Sequence, residues 1–204
     1  MGYCRDLEKR VKERFDNDIA NHVITEKHRN GFYGHWRCQK GSDCNLWFDI
    51  VTIPGMLMIT GDMGDYAFKR VENMIAFMRG SAMSFGYAAE KCIANDGRLT
   101  EWRDELFREA LDDTFNDQKD DHEDPAAFKE RLDEVRSLGS EGQHFAMQAM
   151  YESDLFDGCD MPSCKAYTYH FLWCLHAIKW FCDKVDEVVP ARPPIVSPEK
   201  YLVG

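Results

Sequence analysis

Two short apolar strands placed back to back constrain this chain more than any other feature of its sequence. Residues 45–53 and 56–60 flank Pro54-Gly55, a pair that turns a chain tightly. Strand alternation puts Phe48 and Ile50 with Leu57 and Ile59 on one face. It puts Trp47, Val51 and Ile53 with Met56 and Met58 on the other. A hairpin that is apolar on both faces needs cover on both. The sequence therefore predicts a small antiparallel sheet with helices, or a partner subunit, on each side, and a homodimer is one way to meet that need.

The surrounding pattern fits an α+β fold of one domain over residues 1–204. Leu7, Val11, Phe15 and Ile19 recur every four residues on a charged background, which predicts a helix over 1–19. Residues 23–70 read as the antiparallel sheet. Its first hairpin turns at Asn30-Gly31, read as a type I′ turn. That turn would set His28 opposite Tyr33, Glu26 opposite His35 and Ile24 opposite Arg37 on a polar face. Val23, Thr25, Phe32, Trp36 and Cys38 would form the apolar one.

Residues 71–189 read as mainly helical. One helix is expected over 85–94 and another is expected to be capped by Thr100. A third opens on Asp124-Pro125 with Phe128, Leu132, Val135 and Leu138 inward, and ends at Gly139. A fourth starts near Ser140, and a break at 158–162 precedes a long helix. Tyr167, Phe171, Cys174, Ile178 and Cys182 trace one stripe of that helix, and Trp173, His176 and Trp180 a second, as in a central helix packed on several neighbours. Residues 190–204 hold four of the seven prolines and read as an extended tail.

Charge is regional. The chain carries −11, and residues 100–141 alone hold 15 acidic and 6 basic side chains. Such a field repels phosphate backbones, so direct nucleic-acid binding there is not expected. It suits a basic protein surface, or serves as a solvated, solubilising face. Asp112, Asp113, Asp117, Asp120, Asp121 and Glu123 are the candidate partner-binding residues. The start of the chain runs straight into charged residues with no apolar stretch, and Asp6 stands where a myristoylation signal wants Ser or Thr. The expectation is a cytoplasmic protein with reduced thiols. Residues 166–182 hold His170, His176 and Lys179 and are too short and polar to span a bilayer, so no membrane partner is expected.

Candidate chemistry centres on residues 61–70. Asp62 and Asp65 sit beside two glycines at the end of a buried strand, and Asp49 pairs with Thr60 across the hairpin. Gathered carboxylates hold a divalent cation or act as a base, and glycine-loop amides cradle an anion. The alternative is a turn capped by Asp62 with Gly64 in a left-handed conformation. With Tyr66, Arg70, His35 and Arg37 these residues make a candidate small-molecule or nucleotide site, arginine being the natural phosphate reader. No metal set is assigned: neither His35, Cys38 and Cys44, nor Cys159 and Cys164, nor His170, Cys174 and Cys182 match a zinc pattern. No cofactor is expected. The standard nucleotide, hydrolase and metalloprotease signatures are absent, which leans the reading away from an enzyme.

The run Phe48-Asp49-Ile50-Val51-Thr52-Ile53-Pro54-Gly55-Met56-Leu57-Met58-Ile59-Thr60-Gly61-Asp62-Met63-Gly64-Asp65-Tyr66-Ala67-Phe68 resembles the strand pair of a family of phage and prophage proteins with no assigned activity. Tyr87-Ala88-Ala89-Glu90-Lys91 and Trp173-Cys174-Leu175-His176-Ala177-Ile178 are similar to helices of that family, with Ala88 where it has a tryptophan. The resemblance implies a viral origin and work in a bacterial host's cytoplasm, and it carries over no catalytic residue. Three functions stay open on this reading: an accessory protein that inhibits a host factor, such as a component of anti-phage defence, through protein contacts; a protein that sequesters or hydrolyses a signalling nucleotide; and a virion structural or assembly protein.

Overall fold

A computed structural model describes residues 2–79, 84–156 and 161–188. The expected break at 158–162 falls partly outside these residues, and Cys159 and the tail at 190–204 lie outside them. Contacts divide the chain into two compact units where the sequence reading expects one domain. One unit comprises residues 6–99 and 168–204, and the other residues 1–5 and 100–167.

The first unit is built on an antiparallel sheet in strict chain order. Its strands are β1 (Val23–Asn30), β2 (Tyr33–Gln39), β3 (Phe48–Ile53), β4 (Met56–Gly61), β5 (Tyr66–Lys69) and β6 (Cys92–Asn95). Helices α1 (Gly2–Asp18), α2 (Met74–Arg79), α3 (Phe85–Lys91) and α7 (Tyr169–Val188) accompany it. The expected stripe of α1 is buried at Leu7, Val11, Phe15 and Ile19. The pairing of β3 with β4 follows the expected register, with Ile50 opposite Ile59, Val51 opposite Met58 and Asp49 opposite Thr60.

One face of the sheet is sealed by α7. Phe181 packs on Trp36, Trp173 and Trp180 meet Phe48 edge-on, and Phe171 stacks on Phe68. Trp36, Phe48, Ile50, Leu57, Ile59 and Phe68 on that face are at most 1 % exposed. Burying each such side chain contributes roughly 1.5–3 kcal/mol, which makes this face the core of the unit. The Trp173 indole N–H reaches Asp18 at 3.1 Å and ties α7 to the end of α1.

Among the described residues the other face has no comparable cover. Val51, Met56, Met58 and Ala67 are half-buried, while Ile53 and Ala94 are exposed. The sequence predicts helices or a partner on both faces, and the helices among the described residues of this unit supply cover for one.

The first hairpin corrects the expected register. The turn is Gly31-Phe32, with Asn30 paired to Tyr33, because Gly31 takes φ +59° and Asn30 stays in the strand. A glycine at the first central position suits a type II′ turn. The register shifts again between Glu26 and His28, leaving Lys27 in a bulge. Ile24 therefore joins Trp36 and Cys38 on the core face, while Val23 and Thr25 turn to solvent. Glu26 pairs with Trp36, and His28, not Glu26, stands opposite His35.

The second unit holds α4 (Asp104–Gln118), α5 (Pro125–Leu138) and α6 (Gln143–Glu152), closed at its ends by β7 (Thr100–Trp102) pairing with β8 (Lys165–Tyr167). Its core is Phe107, Leu111, Phe128, Leu132, Val135, Ala146, Ala149 and Met150. Asp124 caps α5 as expected, accepting from the N–H groups of Ala126 and Ala127. Three expectations change. Thr100 begins a strand instead of capping a helix, and α4 starts at Asp104. The helix over 85–94 stops at Lys91, and Cys92–Asn95 form β6. Leu138 is 57 % exposed, because α5 ends there in a tight 3-10 turn.

Candidate functional site

The open face of the sheet carries the polar residues nominated from the sequence. Adjacent strands place Thr25, Arg37, Asp49 and Thr60 in one row across β1–β4. A second row runs His28, His35, Val51, Met58, Ala67 and Ala94 across β1–β6. Asp49 is the focus. Its carboxylate accepts two hydrogen bonds from the Arg37 guanidinium, the longer at 3.0 Å, and His35 Nε2 lies 3.1 Å away. The guanidinium also lies over the Trp47 ring, 4.1 Å from its centroid.

Asp49 is buried, and burial by itself would raise its carboxyl. The hydrogen bonds from Arg37 and His35 outweigh that cost and hold it below the usual carboxylate range. A carboxylate satisfied in this way is a weak base and a strong anchor. What the cluster presents outward is the half-exposed imidazole and guanidinium, groups suited to a carboxylate or phosphate.

The loop residues take structural positions. The Asp62 N–H bonds Trp47 O at 3.2 Å, which continues the β3–β4 pairing by one residue. The Asp62 carboxylate accepts the Leu46 N–H at 2.6 Å, fixing a residue held at φ +57°. Gly64 takes φ +116°, and its N–H bonds Gly61 O at 3.1 Å in a tight turn, while the Asp62 side chain reaches Leu46 and not this turn. Tyr66 points into the core, where its ring packs 5.3 Å from Phe171 and burial pushes its phenol up. Arg70 is exposed, and its backbone N–H bonds Gly55 O. Asp65 stands at the far edge, exposed, with its carbonyl accepting the Asp96 N–H. Asp65 and Asp96 border a shallow depression of about 460 Å³ floored by Val51, Met58, Ala67 and Ala94.

Sequence pattern missed Asp96 because β6 reads as the end of a helix. It also missed Asp186, held between Arg29 and Arg79, because no local signal links residues so far apart in the chain.

Among the described residues no group of three His, Cys, Asp or Glu side chains is placed to hold a metal ion. Cys38 lies on the core face and His35 on the open one, so that pair is split by the sheet. Burial pushes the thiols of Cys38, Cys174 and Cys182 up, and that of Cys164 to about 11, which leaves them poor nucleophiles. No helix among the described residues is long and apolar enough to cross a membrane.

The nominated acidic residues lie on the helical unit, and all six are exposed. Asp112 is engaged by Arg136 of α5. Asp113, Asp117, Asp120 and Asp121 follow one another at helical spacing along the end of α4 and the 3-10 turn after it. The unit they belong to has 19 acidic and 8 basic side chains, the whole of the chain's −11, whereas the sheet unit has 17 of each.

Fold and surface together define an α+β protein in which an acidic helical unit accompanies a neutral, open-faced sheet. Compared with family models, curated proteins and solved structures, the chain matches none.

Proposed function

We propose that this protein acts by binding another protein, holding a basic surface against its acidic helical unit, and that it serves as a viral accessory protein that inhibits a host factor in the bacterial cytoplasm. The observation that carries this reading is the segregation of charge: all of the net −11 falls on one compact unit. A field concentrated in this way steers a basic partner and sets orientation, and salt weakens both effects. The Asp113, Asp117, Asp120 and Asp121 stripe has the spacing to present several carboxylates at once. A host protein that handles nucleic acid has the complementary surface, since it must already accept phosphates.

The test is affinity capture from bacterial lysate, with the eluate weighed by native mass spectrometry. Wild-type protein should retain a stoichiometric protein partner. A variant with Asp113, Asp117, Asp120 and Asp121 changed to Lys should lose it while melting within a few degrees of wild type, since all four side chains are exposed. Asp112 is left in place because Arg136 depends on it. Undiminished capture by the variant would sink the reading.

A further inference from the structure

The open face of the sheet is self-complementary, and we infer that it is the interface of a two-fold homodimer. An isologous interface requires a patch that matches itself after a half-turn, each residue meeting the counterpart of its own opposite. In a six-stranded sheet packed face to face on its copy, an axis running along the strands between β3 and β4 lays β1 over β6, β2 over β5 and β3 over β4. Aligned sheets pack in this way about 10 Å apart, with side chains interleaving.

The residues on this face obey that symmetry. The row containing Asp49 begins at Thr25 and Arg37 and passes through Asp49 and Thr60. It ends at Asp65 and Asp96, because Tyr66 pairs with Ile59 and the Asp96 N–H bonds Asp65 O. It is basic at the β2 end and acidic at the β5–β6 end. Turned on itself, it sets Arg37 against Asp65 of the second copy and Asp49 against Thr60 of the second copy. In the neighbouring row, Val51 meets Met58 of the second copy, while His35 and His28 lie over Ala67 and Ala94 of the second copy. The apolar pair falls at the axis beside Asp49, whose carboxylate Arg37 of its own chain already satisfies, while Arg37, Asp65 and Asp96 lie farther out, toward the polar rim of an interface.

Exposure agrees. Val51 and Met58 are half-buried where Ile50 and Ile59, their neighbours on the sealed face, are at most 1 % exposed. The Arg37 guanidinium is already oriented by Asp49 and Trp47, so little side-chain freedom is lost when it reaches across. This inference is independent of the acidic helical unit.

Sedimentation velocity on the full chain at roughly 1–100 µM tests it, that range covering the weaker end of affinities for interfaces of ordinary size. Wild-type protein should sediment at twice the chain mass. Met58→Asp places a carboxylate beside the axis and should sediment as a monomer with an unchanged circular dichroism spectrum. Asp65→Arg changes only an exposed side chain. It sets two cations against each other twice per dimer, and should raise the dissociation constant at least about tenfold. Asp113→Lys on the helical unit should leave the association as it was. A wild-type monomer throughout the range overturns the inference. So does a dimer indifferent to Met58→Asp, and so does one that Met58→Asp dissociates while Asp65→Arg leaves it unaffected. If Met58→Asp fails to fold, Asp65→Arg decides alone.

Discussion

The residue most out of keeping with its surroundings is His176. It is 9 % exposed in the middle of α7, stacked on Phe15 with ring centroids 5.7 Å apart and set edge-on to Phe85 at 5.1 Å. Its Nε2 has no hydrogen-bond partner among the described residues. Burial disfavours the charged ring and the nearby Lys12 adds to that, while Asp16 opposes it, so its pKa falls to about 4. The unfolded chain titrates this imidazole near 6.5, so between those values the unfolded state holds more protons than the folded one. Stability associated with neutral His176 is therefore complete above pH ~6.5 and drains away as the pH falls toward 4, by up to roughly 3 kcal/mol. Asp49 and Asp186, whose carboxyls are also held low, extend the loss further into acid. Urea unfolding at a series of pH values should show this slope, and His176→Phe should flatten it between pH 6.5 and 4. An identical slope in the variant would place the acid sensitivity elsewhere.

At the scale of elements, the β3–β4 pair depends on a glycine for closeness of approach. Gly61 ends β4 opposite Phe48, and a Cβ built there would stand 2.3 Å from Trp47 O and 2.8 Å from Phe48 Cα. Both are backbone atoms and cannot swing aside. Gly61→Ala should cost about 2–3 kcal/mol, the upper part of the range for overpacked sites. Gly97→Ala, whose Cβ would meet no described residue other than its chain neighbours within 4 Å, should stay within about 0.5 kcal/mol of wild type. Equilibrium urea midpoints compare the two. The same pair of strands shows why some of the fold was legible in the sequence. Residues 48–60 alternate on both faces around one unambiguous turn, so their register can be read directly. At Asn30-Gly31 two turns one residue apart are both allowed, and nothing in the sequence marks the bulge at Lys27. The short strands β6, β7 and β8 stayed hidden because pairs such as Thr100 with Tyr167 are made by contacts remote in sequence. The site divides in the same way. Asp49 facing Thr60 was legible within one hairpin. The bonds from Arg37 and His35 to Asp49 require β2 to lie beside β3, which no local pattern states.

For the whole molecule, residues 100–167, the larger segment of the helical unit, have the form of an insertion. Thr100 and Tyr167 at its two ends are paired to each other in β7 and β8, and the neighbouring residues Leu99 and Thr168 are joined by a backbone hydrogen bond of 2.9 Å within the sheet unit. An inserted unit whose ends lie together can be removed without stretching its host. Replacing residues 100–167 by a short Gly-Ser linker should therefore leave a sheet unit that still unfolds in one cooperative transition. Four of the five tryptophans, Trp36, Trp47, Trp173 and Trp180, remain to report it by fluorescence. The shortened chain keeps 17 acidic and 18 basic side chains, so its charge moves from −11 to +1 and its retention on an anion exchanger should collapse. Two activities should then separate. The sheet's open face is intact, so self-association should survive. The acidic surface is gone, so capture of a basic partner should be lost. Retained capture would move the partner site onto the sheet unit, and a loss of cooperative unfolding would mean that the sheet's stability depends on the inserted helices.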